Sequence, residues 1–187
     1  MKGTMTKKHN IIETTTEKTT LGSTVTRKKI KDEFFRDSIT ISESQSELAK
    51  SETNDCVVRA FMMVLDLPYD KAHKFVADKF NRVNGQGTYT TQYLSNIIGT
   101  QKNGYKIRLM GYHPKRSFGS RKKLVNPKYK NETGYTVKSF MEQYPTGRYF
   151  IIVKGHSLAL VDGILYGNYD EQFNGFRRPV HYVIECK

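Results

Sequence analysis

Four apolar runs of strand length crowd the carboxy-terminal end of the chain: Arg148–Lys154, Ser157–Asp162, Ile164–Tyr169 and Val180–Cys186. Asp162-Gly163 between two of them is a strong signal for a tight β-hairpin, because both residues tolerate positive φ. Such runs hide their apolar faces by pairing into an antiparallel sheet, and that sheet then needs a cover. The segments upstream supply one. Cys56–Leu67 carries Val57, Ala60, Phe61, Val64 and Leu65 at helix-compatible positions and is stopped by Pro68. Asp70 is placed to cap a second helix with Ala72, Phe75, Val76, Lys79 and Phe80 on its inner stripe. Gly85-Gln86-Gly87 reads as a turn, and Thr90 or Thr91 as the cap of a third helix through Ile98. Lys106–Tyr112 alternates as a strand, and a short helix, Val137–Tyr144, ends at Pro145. Helices first and an antiparallel sheet after is an α+β arrangement.

With 187 residues the chain has room for one domain and an arm. Residues 1–29 are rich in Thr and Lys and poor in apolar side chains, so they are expected to be a flexible basic arm. Residues 30–53 read as a Ser/Glu-rich linker, with Ile30, Phe34 and Phe35 near the spacing of a short amphipathic helix. The folded body is expected at 54–187, interrupted by an irregular excursion over residues 113–134. Twelve tyrosines and ten phenylalanines fill a core that has no tryptophan. No apolar run approaches the ~20 residues needed to span a bilayer, and the first ten lack the apolar stretch of a signal peptide. The expectation is a protein that stays out of membranes and in the compartment that makes it. There its two cysteines, Cys56 and Cys186, would be free thiols.

Cys56 follows Thr53-Asn54-Asp55 at the start of an apolar helix. A thiol there feels the positive end of the helix dipole and unpaired backbone N–H groups. Those groups lower its pKa and can also hold a developing oxyanion. The plainer reading is a small core cysteine. His156, in Gly155-His156-Ser157, opens a strand between apolar runs. Alone it would be a hydrogen-bonded strand-end residue; beside a helix-start cysteine it becomes a candidate general base. Arg59, one turn after Cys56, reads as an intrahelical ion pair with Asp55. His73, His113 and His181 have no partners at metal-ligand spacing, so neither a metal nor another cofactor is expected.

Several motifs together resemble a known group: Asn54-Asp55-Cys56-Val57-Val58-Arg59-Ala60, then Leu67-Pro68-Tyr69-Asp70, then Gly147–Ile152, and finally Gly155-His156 through Gly163. The group comprises small phage and prophage proteins in which a D-C-V-x-R-A helix start precedes G-H-x-x-A-x-x-D-G and a D-T-W-D-like strand. In layout these proteins are similar to papain-like cysteine peptidases. The resemblance spans roughly residues 53–185. It implies a papain-like fold with amino-terminal helices packed on an antiparallel sheet, and a thiol hydrolase of peptidase or amidase type. Cys56 would be the nucleophile, His156 the general base, and the locale the host cytoplasm or the phage virion. The chain departs from the group at Gly167-Asn168-Tyr169-Asp170, where an aspartate usually opens the strand. Asn168 is then the candidate to orient the imidazole, with Asp170, two residues on and on the same strand face, as the alternative. Asp162 suits a turn better. The glutamine that often precedes such a cysteine is absent, since Gln45 lies too far upstream, which leaves Asn54 as the candidate oxyanion donor.

Net charge is +13, and residues 102–131 hold ten Lys/Arg and no acid, interleaved with Tyr105, Tyr112, Phe118 and Tyr129. Arg116, Arg121, Lys122, Lys123, Lys128 and Lys130 make up the candidate basic surface. Its expected partner is nucleic acid, through phosphate contact and stacking, or an acidic protein, and a solvated loop is the plainer reading. Two functions therefore stand side by side. One is a thiol hydrolase acting on a protein or peptide; the other is a catalytically silent domain of the same fold serving as a virion or host-binding protein. In either case a partner could order the amino-terminal arm.

Overall fold

A computed structural model of the chain describes residues 10–90, 92, 94–115, 123–128 and 133–187. It opens on an antiparallel hairpin, β1 (Ile12–Lys18) and β2 (Thr24–Ile30), whose register pairs Ile12 with Ile30 and Lys18 with Thr24. The arm expected to be flexible over residues 1–29 thus forms a hairpin in its described part, and its residues 1–9 lie outside the described residues. The many threonines are β-branched and favour strands, and Ile11 and Ile30 are buried at the hairpin root. Its tip points into solvent, with Leu21 exposed.

The expected linker is also structured. A single 3-10 turn, Asp32–Phe34, replaces the amphipathic helix foreseen there and leads into β3 (Phe35–Asp37), α1 (Ser38–Gln45) and α2 (Glu47–Ser51). The polar residues that suggested a linker are the helix caps: the Asp37 carboxylate accepts from the Ile39 amide and the Ser46 hydroxyl from the Ala49 amide.

α3 (Cys56–Val64) and α4 (Tyr69–Phe80) follow, joined through Pro68, which serves as the N-cap residue of α4. Asp70 therefore lies inside the first turn rather than capping it, and accepts from the Ser46 hydroxyl at 2.5 Å. The third helix expected to reach Ile98 is only a 3-10 turn, Leu94–Asn96, because Gly99 takes a left-handed φ of 88° and turns the chain into β4 (Gln101–Lys102). Next come β5 (Tyr105–Tyr112), α5 (Val137–Gln143), β6 (Arg148–Val153), β7 (His156–Val161), β8 (Ile164–Gly167), α6 (Tyr169–Phe173) and β9 (Tyr182–Cys186).

Seven strands form one sheet in the order β3-β8-β7-β6-β9-β5-β4. Every pairing is antiparallel except β3 with β8, so the sheet is mixed rather than purely antiparallel. The architecture is α+β. Both faces of the central strands are covered, which is why β6 reads as an unbroken apolar run. Phe150 and Ile152 point into the core under α3 and α4, whereas Tyr149, Ile151 and Val153 point into a second core with α5 and the hairpin root. Phe61 of α3 stacks on Phe150 with ring centroids 4.2 Å apart, and the edge of Phe75 meets it at 5.4 Å.

Two tight turns set the heights of the strands. Asp162 and Gly163 both have positive φ, 47° and 82°, and close the β7–β8 hairpin with Val161 opposite Ile164. At the other end of β7, Lys154-Gly155 joins it to β6 with Val153 opposite His156. His156 is thereby fixed at the first position of a central strand.

Candidate active site

Cys56 is the first residue of α3, which packs chiefly against β7 and also meets β6 and β8. A buried network beneath the thiol anchors this helix start. The Asp55 carboxylate accepts from Arg59 Nε at 2.7 Å and from the Tyr69 hydroxyl at 2.6 Å, and Arg59 Nη2 reaches the Ala49 carbonyl at 3.4 Å. Arg59 is therefore the intrahelical partner of Asp55.

A groove of about 1150 Å³ opens over the thiol, and Cys56, His156, Asn54 and Asn168 all line it. Its opposite wall is the loop running from Gly85 to Thr90. That loop is fastened by Glu52, whose carboxylate accepts from Arg82 and, at 3.1 Å, from the Gly85 amide, with the His73 ring 3.3 Å away. Burial alone would raise the pKa of Glu52, but hydrogen bonding and charge from Arg82, with the His73 and Gly85 contacts, outweigh it and hold the carboxyl below its ordinary range. Asn54 has a left-handed φ of 55°, and its Nδ2 donates to the Gly85 carbonyl at 3.0 Å. Its amide thus braces the loop, with one N–H left over.

Burial pushes the Cys56 thiol above its ordinary range. The Ser157 backbone amide opposes that rise, the Asp55 charge adds to it, and the amides of Val57 and Cys56 itself oppose it. The His156 imidazole is lowered to about 4 by burial and by the charge of Arg178. At neutral pH the resting pair is therefore thiol and imidazole, both uncharged.

The candidates for orienting that imidazole sit differently from expectation. The strand foreseen to run to Tyr169 ends at Gly167, and Asn168 is the N-cap residue of α6 with no side-chain capping bond. The helix carries Asp170 outward, where it is exposed and away from the groove. Asp170 is therefore not an orienting residue in this fold. The residue that reaches the histidine is Glu171, which sequence reasoning missed: its Oε1 lies 3.8 Å from His156 Nε2. One signal could have found it. Asn168-Tyr169-Asp170-Glu171 is a cap residue followed three places later by glutamate, a pattern that starts helices. Gly167 itself has no room for a side chain, because a Cβ there would meet Leu158 Cδ2 at 2.6 Å. Asp162, in the turn at the far end of β7, accepts from the Gly147 amide at 2.9 Å and is structural.

Both cysteines are free, and burial pushes the Cys186 thiol up to about 12. Among the described residues no group of three His, Cys, Asp or Glu side chains could hold a metal ion, and no helix is long and apolar enough to cross a membrane. Of the basic surface, Arg116, Arg121, Lys122 and Lys130 lie outside the described residues. Lys123 forms a bridge with Tyr112, and Lys128 Nζ is 3.4 Å from Glu142. Comparison with protein-family models, with curated proteins and with solved structures returns no match.

Proposed function

We propose that the chain is a papain-like thiol hydrolase of the phage type, acting on an amide or related acyl bond. The observation that carries this reading is the shared groove, whose lining includes both a cysteine at a helix amino terminus and a histidine at a strand start. The backbone amide of Ser157, immediately after that histidine, opposes the effect of burial on the thiol.

The chemistry starts from the neutral pair. As Cys56 Sγ attacks the acyl carbon, its proton passes to the imidazole and the carbonyl π electrons move onto oxygen. The backbone amides at the start of α3 face that oxyanion, with the remaining N–H of Asn54 close to the same wall. Collapse breaks the bond to the leaving group, which takes the proton back from the imidazolium and leaves a thioester on Cys56. Water, deprotonated by His156, then attacks the thioester and frees the acid and the thiol. Sharing the proton with a nearby base avoids the cost of forming a lone thiolate in a buried site.

The second reading, a catalytically silent domain that binds a partner, draws on the absence of a preformed thiolate–imidazolium pair. An activated ester separates the two. p-Nitrophenyl acetate should transfer one acetyl group to Cys56, seen by intact mass, with a burst of nitrophenolate that is lost in Cys56→Ala and strongly slowed in His156→Ala. Slow acetylation that ignores His156 would reject the hydrolase in favour of the binding domain.

A further inference from the structure

Glu171 has a place in the molecule that its exposure to solvent does not explain. It is buried, and Oε1 accepts from Arg178 Nη1 at 2.5 Å. Its Oε2 is shielded from solvent and has no hydrogen-bond partner, and the same is true of His156 Nε2. The carboxylate oxygen nearest the ring is Oε1, 3.8 Å from Nε2, and a buried ring nitrogen with no hydrogen-bond partner is costly unless that carboxylate serves it. The backbone has made room for this carboxylate: a Cβ on Gly175 would sit 1.9 Å from Glu171 Oε2, and one on Gly167 3.3 Å from Glu171 Cβ.

We infer that Glu171 is the positioning residue for His156, accepting its Nε2–H so that Nδ1 is the nitrogen presented to Cys56. The inference deepens the hydrolase reading and rests on it for its catalytic consequence. Nε2 is closed to solvent while the ring lines the groove, so the open side of the imidazole belongs to Nδ1. Asn168 lies on the groove wall, and Asp170 projects into solvent. Arg178 completes the arrangement, because it donates both to Glu171 and to the carbonyl of Lys154 in the turn just before His156. One guanidinium thus holds the carboxylate and the strand start in fixed relation. At 3.8 Å the Glu171–His156 contact is longer than a hydrogen bond in the resting state. It should shorten when the imidazole takes the thiol proton, since the carboxylate then faces a cation.

The test uses the full chain with histidine 15N spectra and acetylation rates for wild type, Glu171→Gln, Glu171→Ala and Asp170→Ala. In wild type, neutral His156 should be the Nε2–H tautomer. Glu171→Gln should keep that tautomer, because its amide oxygen still accepts, whereas Glu171→Ala should lose the preference. The His156-dependent part of Cys56 acetylation should fall about 100-fold in Glu171→Ala, the lower end of a general-base contribution. It should fall less in Glu171→Gln and hardly at all in Asp170→Ala, since Asp170 is exposed and away from the groove. If the alanine variant fails to fold, the glutamine variant carries the comparison. An Nδ1–H tautomer in wild type, or a tautomer and rate indifferent to Glu171, would overturn the assignment. A tautomer that follows Glu171 without any His156-dependent acetylation would instead uphold the placement and reject the hydrolase.

Discussion

The Ser157 backbone amide acts on the Cys56 thiol, opposing the rise in pKa that burial causes, and it does so because α3 packs against β7. Segments far apart in the chain are joined there because α3 lies along β7 and because the Lys154-Gly155 turn starts that strand at His156. The site therefore depends on the supports of the helix start and of the loop facing it, and both supports are buried ionic networks.

Glu52→Gln should remove the charge that Arg82, fully buried, is paired with. Breaking a buried pair on one side costs about 3–5 kcal/mol, and urea unfolding should show a loss of that order. The wild-type carboxyl titrates below its ordinary value of 4.5 when folded. Its contribution is therefore present above that value and disappears as pH falls through the lower folded pKa, because the unfolded state takes up the proton first. Glu52→Gln should lack that part of the acid sensitivity, so its deficit relative to wild type should narrow as the solution is acidified. A deficit unchanged down to pH 3 would contradict this.

Tyr69→Phe deletes the hydroxyl that donates to Asp55 at 2.6 Å while keeping the ring. The carboxylate remains paired with Arg59, so the expected cost is that of one hydrogen bond to a charged group, about 1.5–3 kcal/mol. Thermal unfolding should register it. Cys56 acetylation below the transition should change little, since Tyr69 does not line the groove.

Much of the body was legible because its signals were local. Asp162-Gly163 marked the hairpin, Pro68 the break between α3 and α4, and the apolar runs β6, β7 and β9 to within two residues at each end. The amino-terminal third misled because composition was read without burial. Thr-rich β1 and β2 are held by Ile11, Ile30 and the Gln172 amide, which donates to the Ile30 carbonyl at 2.9 Å from across the fold. No local pattern announces such a contact. Cys56 stands at the start of α3 and His156 at the start of β7, the positions their neighbours in the sequence signal. Glu171 was hidden because Ile164–Tyr169 read as one strand; moving the boundary two residues turns the chain into α6 and exchanges Asp170 for Glu171 as the inward carboxylate.

The basic cluster between residues 102 and 131 should bind polyanions mainly through charge. Affinity for DNA or RNA should then fall steeply as salt rises, with little sequence preference. Replacing Arg121, Lys122 and Lys123 by Ala should lower affinity evenly across sequences and flatten the salt slope. Lys128→Ala should do less, because Glu142 already offsets that charge. Titrations at several salt concentrations measure both. Binding that persists at high salt would point to stacking by the interleaved aromatic rings. An absence of binding at low salt would exclude a nucleic-acid surface.

If His156 serves as base to Cys56, the pH profile of Cys56 alkylation by chloroacetamide carries its signature. With the imidazole lowered to about 4 and the thiol raised by burial, base-assisted attack should appear as pH passes the imidazole value and stay level through neutrality. A second rise should come only above pH 9, where free thiolate accumulates. His156→Ala should erase the level region and keep the alkaline rise. The same profile with and without His156, rising only with the thiolate, would contradict the account.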